Sequence, residues 1–222
     1  MPSWIELTAD DGHRFSAWVA EPLGKARGAV VVAQEIFGVN AHIRAVTESY
    51  AADGYLAVAP ALFDRAQRGF ETGYTPEDIA TARKVMQGLT IDDAMKDLAA
   101  TLSWAARAGR VGVTGFCWGG TVAWVAAARL DGLACAVPYY GGGMPGYIGE
   151  APRCPVMMHF GEHDTMPSAE QARLIAAAHP SAIAHFYDAG HGFNCDQRAS
   201  FDAAASALAR SRTLEFFAKH LG

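Results

Sequence analysis

Six short runs of this chain are apolar on nearly every residue, not on alternate ones: Ala29–Ala33, Tyr55–Ala59, Arg110–Thr114, Leu133–Pro138, Pro155–Phe160 and Ile183–Tyr187. A strand with one wet face alternates. A strand apolar throughout is covered on both faces, as in parallel sheets. Parallel neighbours need long crossover connections, and the segments between these runs are long enough for helices. The pattern predicts an α/β chain with an open, mostly parallel sheet and helices on both faces. A ligand site then belongs beyond the carboxyl ends of the strands.

The flanks fit this scheme. Asp10-Asp11-Gly12 is a turn signal between Ile5–Leu7 and Phe15–Val19 and predicts an antiparallel hairpin at a sheet edge. Thr90 and Asp93 have capping-box spacing, and Ile91, Ala94, Met95, Leu98, Leu102 and Ala105 trace one helical face. Gly109 is placed to end that helix. A last helix is expected over about Arg198 to His220. With 222 residues, 51% hydrophobic, 18% charged and no repeats, the chain is read as one domain over residues 1–222.

Charge and cysteine usage argue against several classes. The net charge of −5 offers no general attraction for nucleic acid or an anionic membrane. Cys117, Cys135, Cys154 and Cys195 include no CxxC pair and no zinc-finger spacing, so no metal and no disulfide scaffold is expected. A reducing compartment is the expected setting. The N-terminus lacks a basic region followed by an apolar run, so no signal peptide is expected. The uncharged stretch Val111 to Ala128 is broken by four glycines and reads as strand, turn and helix.

That turn carries the strongest chemical signal. Gly115-Phe116-Cys117-Trp118-Gly119-Gly120 follows the strand Val111–Thr114 and precedes the helical run Thr121 to Arg129. This is the setting of the nucleophile elbow G-x-S-x-G, with Cys for Ser. The elbow is a strained turn that tolerates only small neighbours, hence Gly115 and Gly119. It would present the sulfur at a helix N-terminus, whose dipole favours thiolate. In elbow enzymes an acid and then a histidine follow in chain order. Asp164 and His191 lie just after the fifth and sixth apolar runs, at the strand ends where Cys117 also sits. Alone, Asp164 could be a helix cap and His191 a loop residue; their order and context favour a catalytic set. After the first run, Gln34-Glu35-Ile36-Phe37-Gly38 occupies the loop that supplies the second oxyanion donor. Ile36 and Trp118 are the expected backbone N–H donors. Glu35, an acid at a buried strand end, is a further functional candidate. The other histidines read as structural or surface residues, with His163 of interest only because it adjoins Asp164. Cys195, four residues after His191, could face the site.

These segments, with Tyr139-Tyr140-Gly141 and Gly190-His191-Gly192-Phe193, resemble the dienelactone hydrolase (carboxymethylenebutenolidase) family of α/β hydrolases over nearly the whole chain. The resemblance implies an α/β-hydrolase fold and a Cys117–His191–Asp164 triad. It gives Glu35 the role of a carboxylate that contacts the resting thiol and takes its proton when substrate arrives. It implies opening of dienelactone without metal or cofactor, by a monomeric cytoplasmic enzyme. The family holds its substrate carboxylate with arginines. One of those positions is Cys195 here, which removes the expected partner of Glu35. Arg83 is near the second, and Arg65, Arg68 and Arg198 are stand-ins.

The expected activity is hydrolysis of an activated ester or lactone through a thioester on Cys117, with Phe37, Tyr139, Tyr140 and Phe193 as pocket walls. Asp64 to Tyr74 is the candidate lid. The alternatives are an acyltransferase using the same thioester and a non-catalytic binding protein on the same fold.

Overall fold

The computed structural model describes residues 1–222. Strands β1 (Ser3–Thr8) and β2 (Arg14–Ala20) form the expected edge hairpin. Its turn uses Gly12 at φ +85°, a region open to glycine because it has no Cβ. The remaining strands are β3 (Ala29–Ala33), β4 (Leu56–Pro60), β5 (Val111–Phe116), β6 (Leu133–Tyr139), β7 (Met157–Gly161) and β8 (Ile183–Tyr187). All eight join one sheet in the order β1-β2-β4-β3-β5-β6-β7-β8. Only β1–β2 and β2–β4 pair antiparallel.

The helices are α1 (Ala41–Ala52), α2 (Pro76–Gln87), α3 (Ile91–Ala105), α4 (Trp118–Arg129), α5 (Ala169–Ala178) and α6 (Ala203–Leu221). Because side chains alternate across a strand, the apolar runs feed two cores. Val31 and Val113 pack with Leu98, Trp124 and Ile175 from α3, α4 and α5. Val30, Val32 and Val137 pack with Ile43, Tyr50 and Phe217 from α1 and α6. Strands β3, β4 and β5 are buried along their whole length. The stretch Val111 to Ala128 is β5, the elbow and most of α4. No helix is long and apolar enough to cross a membrane.

Two expectations need correction. Strand β8 is not covered on both faces: it is the sheet edge, and Ile183 is 43% exposed. The last helix starts at Ala203, not near Arg198, because the Asp202 carboxylate accepts from Ala205 N (2.8 Å) and caps it there. Residues 191–202 are therefore turns, which leaves Arg198 free to point elsewhere. The Thr90–Asp93 capping box is present, and α2 carries a second one, Thr75–Asp78, with Pro76 in its first turn.

Arg65, one of the substrate-binding stand-ins, has a structural task. Its guanidinium grips the fully buried Asp97 of α3 by two bonds (2.7 and 2.9 Å) and reaches Asp11 in the hairpin turn. Burial pushes the Asp97 carboxyl up and Arg65 opposes it. Removing one partner of a buried pair strands the other charge, so Arg65→Ala is expected to cost about 3–5 kcal/mol. Urea unfolding reads this directly; a loss under about 1 kcal/mol would show that the pair does not hold α3 to the hairpin. Arg68, another stand-in, bonds Glu6 at the same edge.

Candidate active site

The elbow is built by steric exclusion. Cys117 sits between β5 and α4 at φ 56°, ψ −118°, a backbone conformation rare for a residue with a side chain. The chain reverses so tightly that a Cβ on Gly115 would lie 2.0 Å from Gly119 O, and one on Gly119 would lie 2.2 Å from Ala33 O. Cys117 N donates to Tyr139 O (3.1 Å), tying the turn to the end of β6. The sulfur thus stands at the N-terminus of a twelve-residue helix.

Asp164 and His191 approach from the loops after β7 and β8. Asp164 is buried. Its Oδ1 accepts from Met166 N (2.8 Å), and its Oδ2 pairs with His191 Nδ1 (2.8 Å). The bond to the carboxylate places a proton on Nδ1. Nε2 remains for the Cys117 side, and the two side chains line one cavity. Burial is the largest influence on His191 and disfavours its charge. The Asp164 carboxylate and the Cys117 sulfur together outweigh it and hold the imidazole up at about 10.

Glu35 lies at the end of β3 and is fully buried. Its polar partner is Arg198, with Nη1 3.5 Å from Oε1, and no hydrogen bond joins it to Cys117. The expectation that Glu35 lacks an arginine is thus corrected. Arg198 supplies the guanidinium from three residues beyond position 195. It reaches inward across Gly192, where a Cβ would lie 2.5 Å from Nη1. Cys195 does not face the cavity. It is buried, and burial above all, with the nearby Glu35, pushes its thiol up to about 11. The N–H groups of Ile36 and Trp118 take part in no turn, loop or cap hydrogen bond, and both residues line the cavity.

The cavity is about 450 Å³. Phe37 and Arg83 line it as expected. Tyr139, Tyr140 and Phe193 do not, and this is a correction. The Tyr139 hydroxyl bonds Thr213 (2.6 Å) beneath the sheet end, and Tyr140 and Phe193 pack on each other at 5.2 Å. They form a buried aromatic floor on which the His191 ring rests, 5.1 Å from Tyr140. The walls that adjacency in sequence did not reveal are Ile79 and Met86 on α2, Thr165 and Met166 after Asp164, and Arg198. Ile79, Arg83 and Met86 recur at helical spacing, which is the one signal that could have found them. The lid candidate, Asp64 to Tyr74, contributes no lining residue. It is anchored beside the β3–α1 loop by Thr72 N to Phe37 O (3.1 Å) and Asn40 Nδ2 to Tyr74 Oη (3.0 Å). His163 turns outward to Asp188.

A mostly parallel eight-stranded sheet, a cysteine on the elbow after β5, and an acid and a histidine on later strand ends define an α/β hydrolase. Residues 15–221 match the sequence profile of the Dienelactone hydrolase family. The chain belongs to that family. Carboxymethylenebutenolidases from Pseudomonas putida and Pseudomonas sp. strain P51 are 34% and 36% identical to it. The alignments cover 96% and 95% of this chain and 95% and 92% of theirs. A solved structure from Klebsiella pneumoniae, provisionally named a dienelactone hydrolase, superposes with a TM-score of 0.84 at 28% identity and covers 99% of both chains.

Proposed function

We propose that the protein hydrolyses activated esters or lactones, dienelactone among them, with Cys117 as nucleophile, His191 as acid and base, and Asp164 as the group that orients it. The observation that carries this reading is the strained Cys117 backbone at the head of α4, beside a histidine already bonded to a buried carboxylate. The thiolate adds to the carbonyl carbon. The developing oxyanion is met by the N–H groups of Ile36 and Trp118, each donor of this kind being worth about 10²–10³ in rate. Collapse forms a thioester as the C–O bond breaks, and His191 gives its proton to the departing oxygen. Neutral His191 then takes a proton from water as that water attacks the thioester, and sulfur leaves as thiolate. A thiolate is itself easily expelled, so enol and other good leaving groups are favoured over alkoxides. Two guanidinium groups, Arg83 and Arg198, line the cavity and favour substrates bearing a carboxylate. Glu35 acts by holding Arg198.

The test is ring opening of dienelactone, followed by loss of its ultraviolet absorbance, with the wild type and Cys117→Ala. Turnover by the wild type that falls to background in the variant is expected. No wild-type turnover, while an alkylating probe still labels Cys117 faster than Cys135, Cys154 and Cys195, would overturn the lactone assignment and keep the nucleophile.

A further inference from the structure

Glu35, His42 and Cys195 come from the loop after β3, the first turn of α1 and the turn after His191, and they meet in the interior. One donor atom from each lies within 4.8 Å of the other two. All three residues are buried, His42 being only 4% exposed. Glu35 Oε2 and His42 Nε2 have no hydrogen-bond partner. Two buried, unsatisfied polar atoms in one cluster call for an explanation, since such groups are almost always paired. We propose that these three residues form a binding site for a divalent transition-metal ion of the zinc type, separate from the Cys117 nucleophile.

The chemistry of the donors fits. His42 Nδ1 bonds Asp196 Oδ1 (3.0 Å). That bond places the ring proton on Nδ1 and leaves the Nε2 lone pair free, the carboxylate–histidine arrangement that orients metal-bound imidazoles. One sulfur, one imidazole nitrogen and one carboxylate oxygen suit a borderline-soft cation, not calcium or magnesium, which take oxygen ligands. On binding, the S–H bond of Cys195 breaks, its proton goes to solvent and a sulfur–metal bond forms, with no change of oxidation state. The thiolate and carboxylate then cancel the charge of the ion, so its first coordination sphere is neutral. Metal–ligand bonds of about 2.0–2.3 Å place tetrahedral ligands about 3.5 Å apart. The donors need only draw together from at most 4.8 Å. Three protein ligands leave the fourth position to water.

The inference does not depend on the hydrolase reading and is tested apart from it. Metal-stripped full-length protein carrying Cys117→Ser is titrated with cobalt(II), followed by the near-ultraviolet thiolate-to-cobalt charge-transfer absorption. One equivalent is expected to saturate the band. Cys195→Ser in the same background should abolish it, and His42→Ala should weaken binding more than 100-fold. Asp196 is exposed, so Asp196→Asn tests the site without threatening the fold and should weaken binding about 10–100-fold. Absence of the band, its survival in Cys195→Ser, or unaltered affinity in Asp196→Asn would each overturn the site.

Discussion

Replacing Asp164 by Asn is expected to lower turnover on the order of 10⁴-fold while leaving the protein folded, by analogy with serine triads. The two carboxylate oxygens have distinct partners, Met166 N and His191 Nδ1. Asparagine keeps one acceptor for Met166 but presents an NH₂ group to Nδ1. The imidazole must then carry its proton on Nε2, the atom that should accept one from sulfur or water. The substitution also removes one of the two groups that hold His191 up at about 10 against burial. NMR titration of the imidazole should therefore show a fall in the variant. The sign of the linked stability follows. The folded value lies above the ordinary 6.5, so charged His191 stabilises the fold fully below about pH 6.5, and this contribution is lost as pH rises through about 10. The stability gap between wild type and variant should be widest near pH 6 and close towards pH 10. Near-normal turnover, or an imidazole still titrating near 10, would remove Asp164 from the proposed role.

Gly119→Ala is expected to destabilise the protein by more than about 3 kcal/mol, equivalent to a midpoint lower by roughly 6–12 °C in a domain of this size. The added methyl carbon would sit 2.2 Å from Ala33 O and 2.4 Å from Gln34 O. Both are backbone atoms, of a buried strand and of the loop that follows it, so neither side can rotate away. Relief requires α4 to move off β3, which takes the Cys117 sulfur away from Ile36. Activity should therefore fall further than the population of unfolded protein explains. Gly149→Ala is the control. A Cβ there meets nothing within 4 Å, and its effect should stay within about 0.5 kcal/mol. Equal midpoints for the two variants would refute the steric account of the elbow.

Much of this protein was legible in its sequence because the responsible physics is local. Strand or helix is set by the period of apolar residues, so the six runs and the Thr90 helix fell close to their observed places. The elbow is one turn long, and its constraint is carried by Gly115 and Gly119 themselves. Asp164 and His191 could be placed at the same sheet edge as Cys117 because parallel strands all end on one side. The limit was reached where residues far apart in the chain compete for one space. Tyr139, Tyr140 and Phe193 adjoin the candidate catalytic residues in sequence, yet they form a floor, since side chains on successive residues near a strand end need not share a face. Arg198 reaches Glu35 only because Asp202 stops α6 early and Gly192 leaves the guanidinium room. His42 and Cys195 lie 153 residues apart in the numbering and share no motif, and only the packing of α1 against the turn after β8 brings both to Glu35. The chain by itself determined the sheet, the elbow and the order of the three candidate catalytic residues, through sterics and periodicity within a few residues. The cavity walls, the partner of Glu35 and the buried cluster were decided by tertiary structure, because long side chains settle wherever the assembled core leaves volume and an unmatched charge.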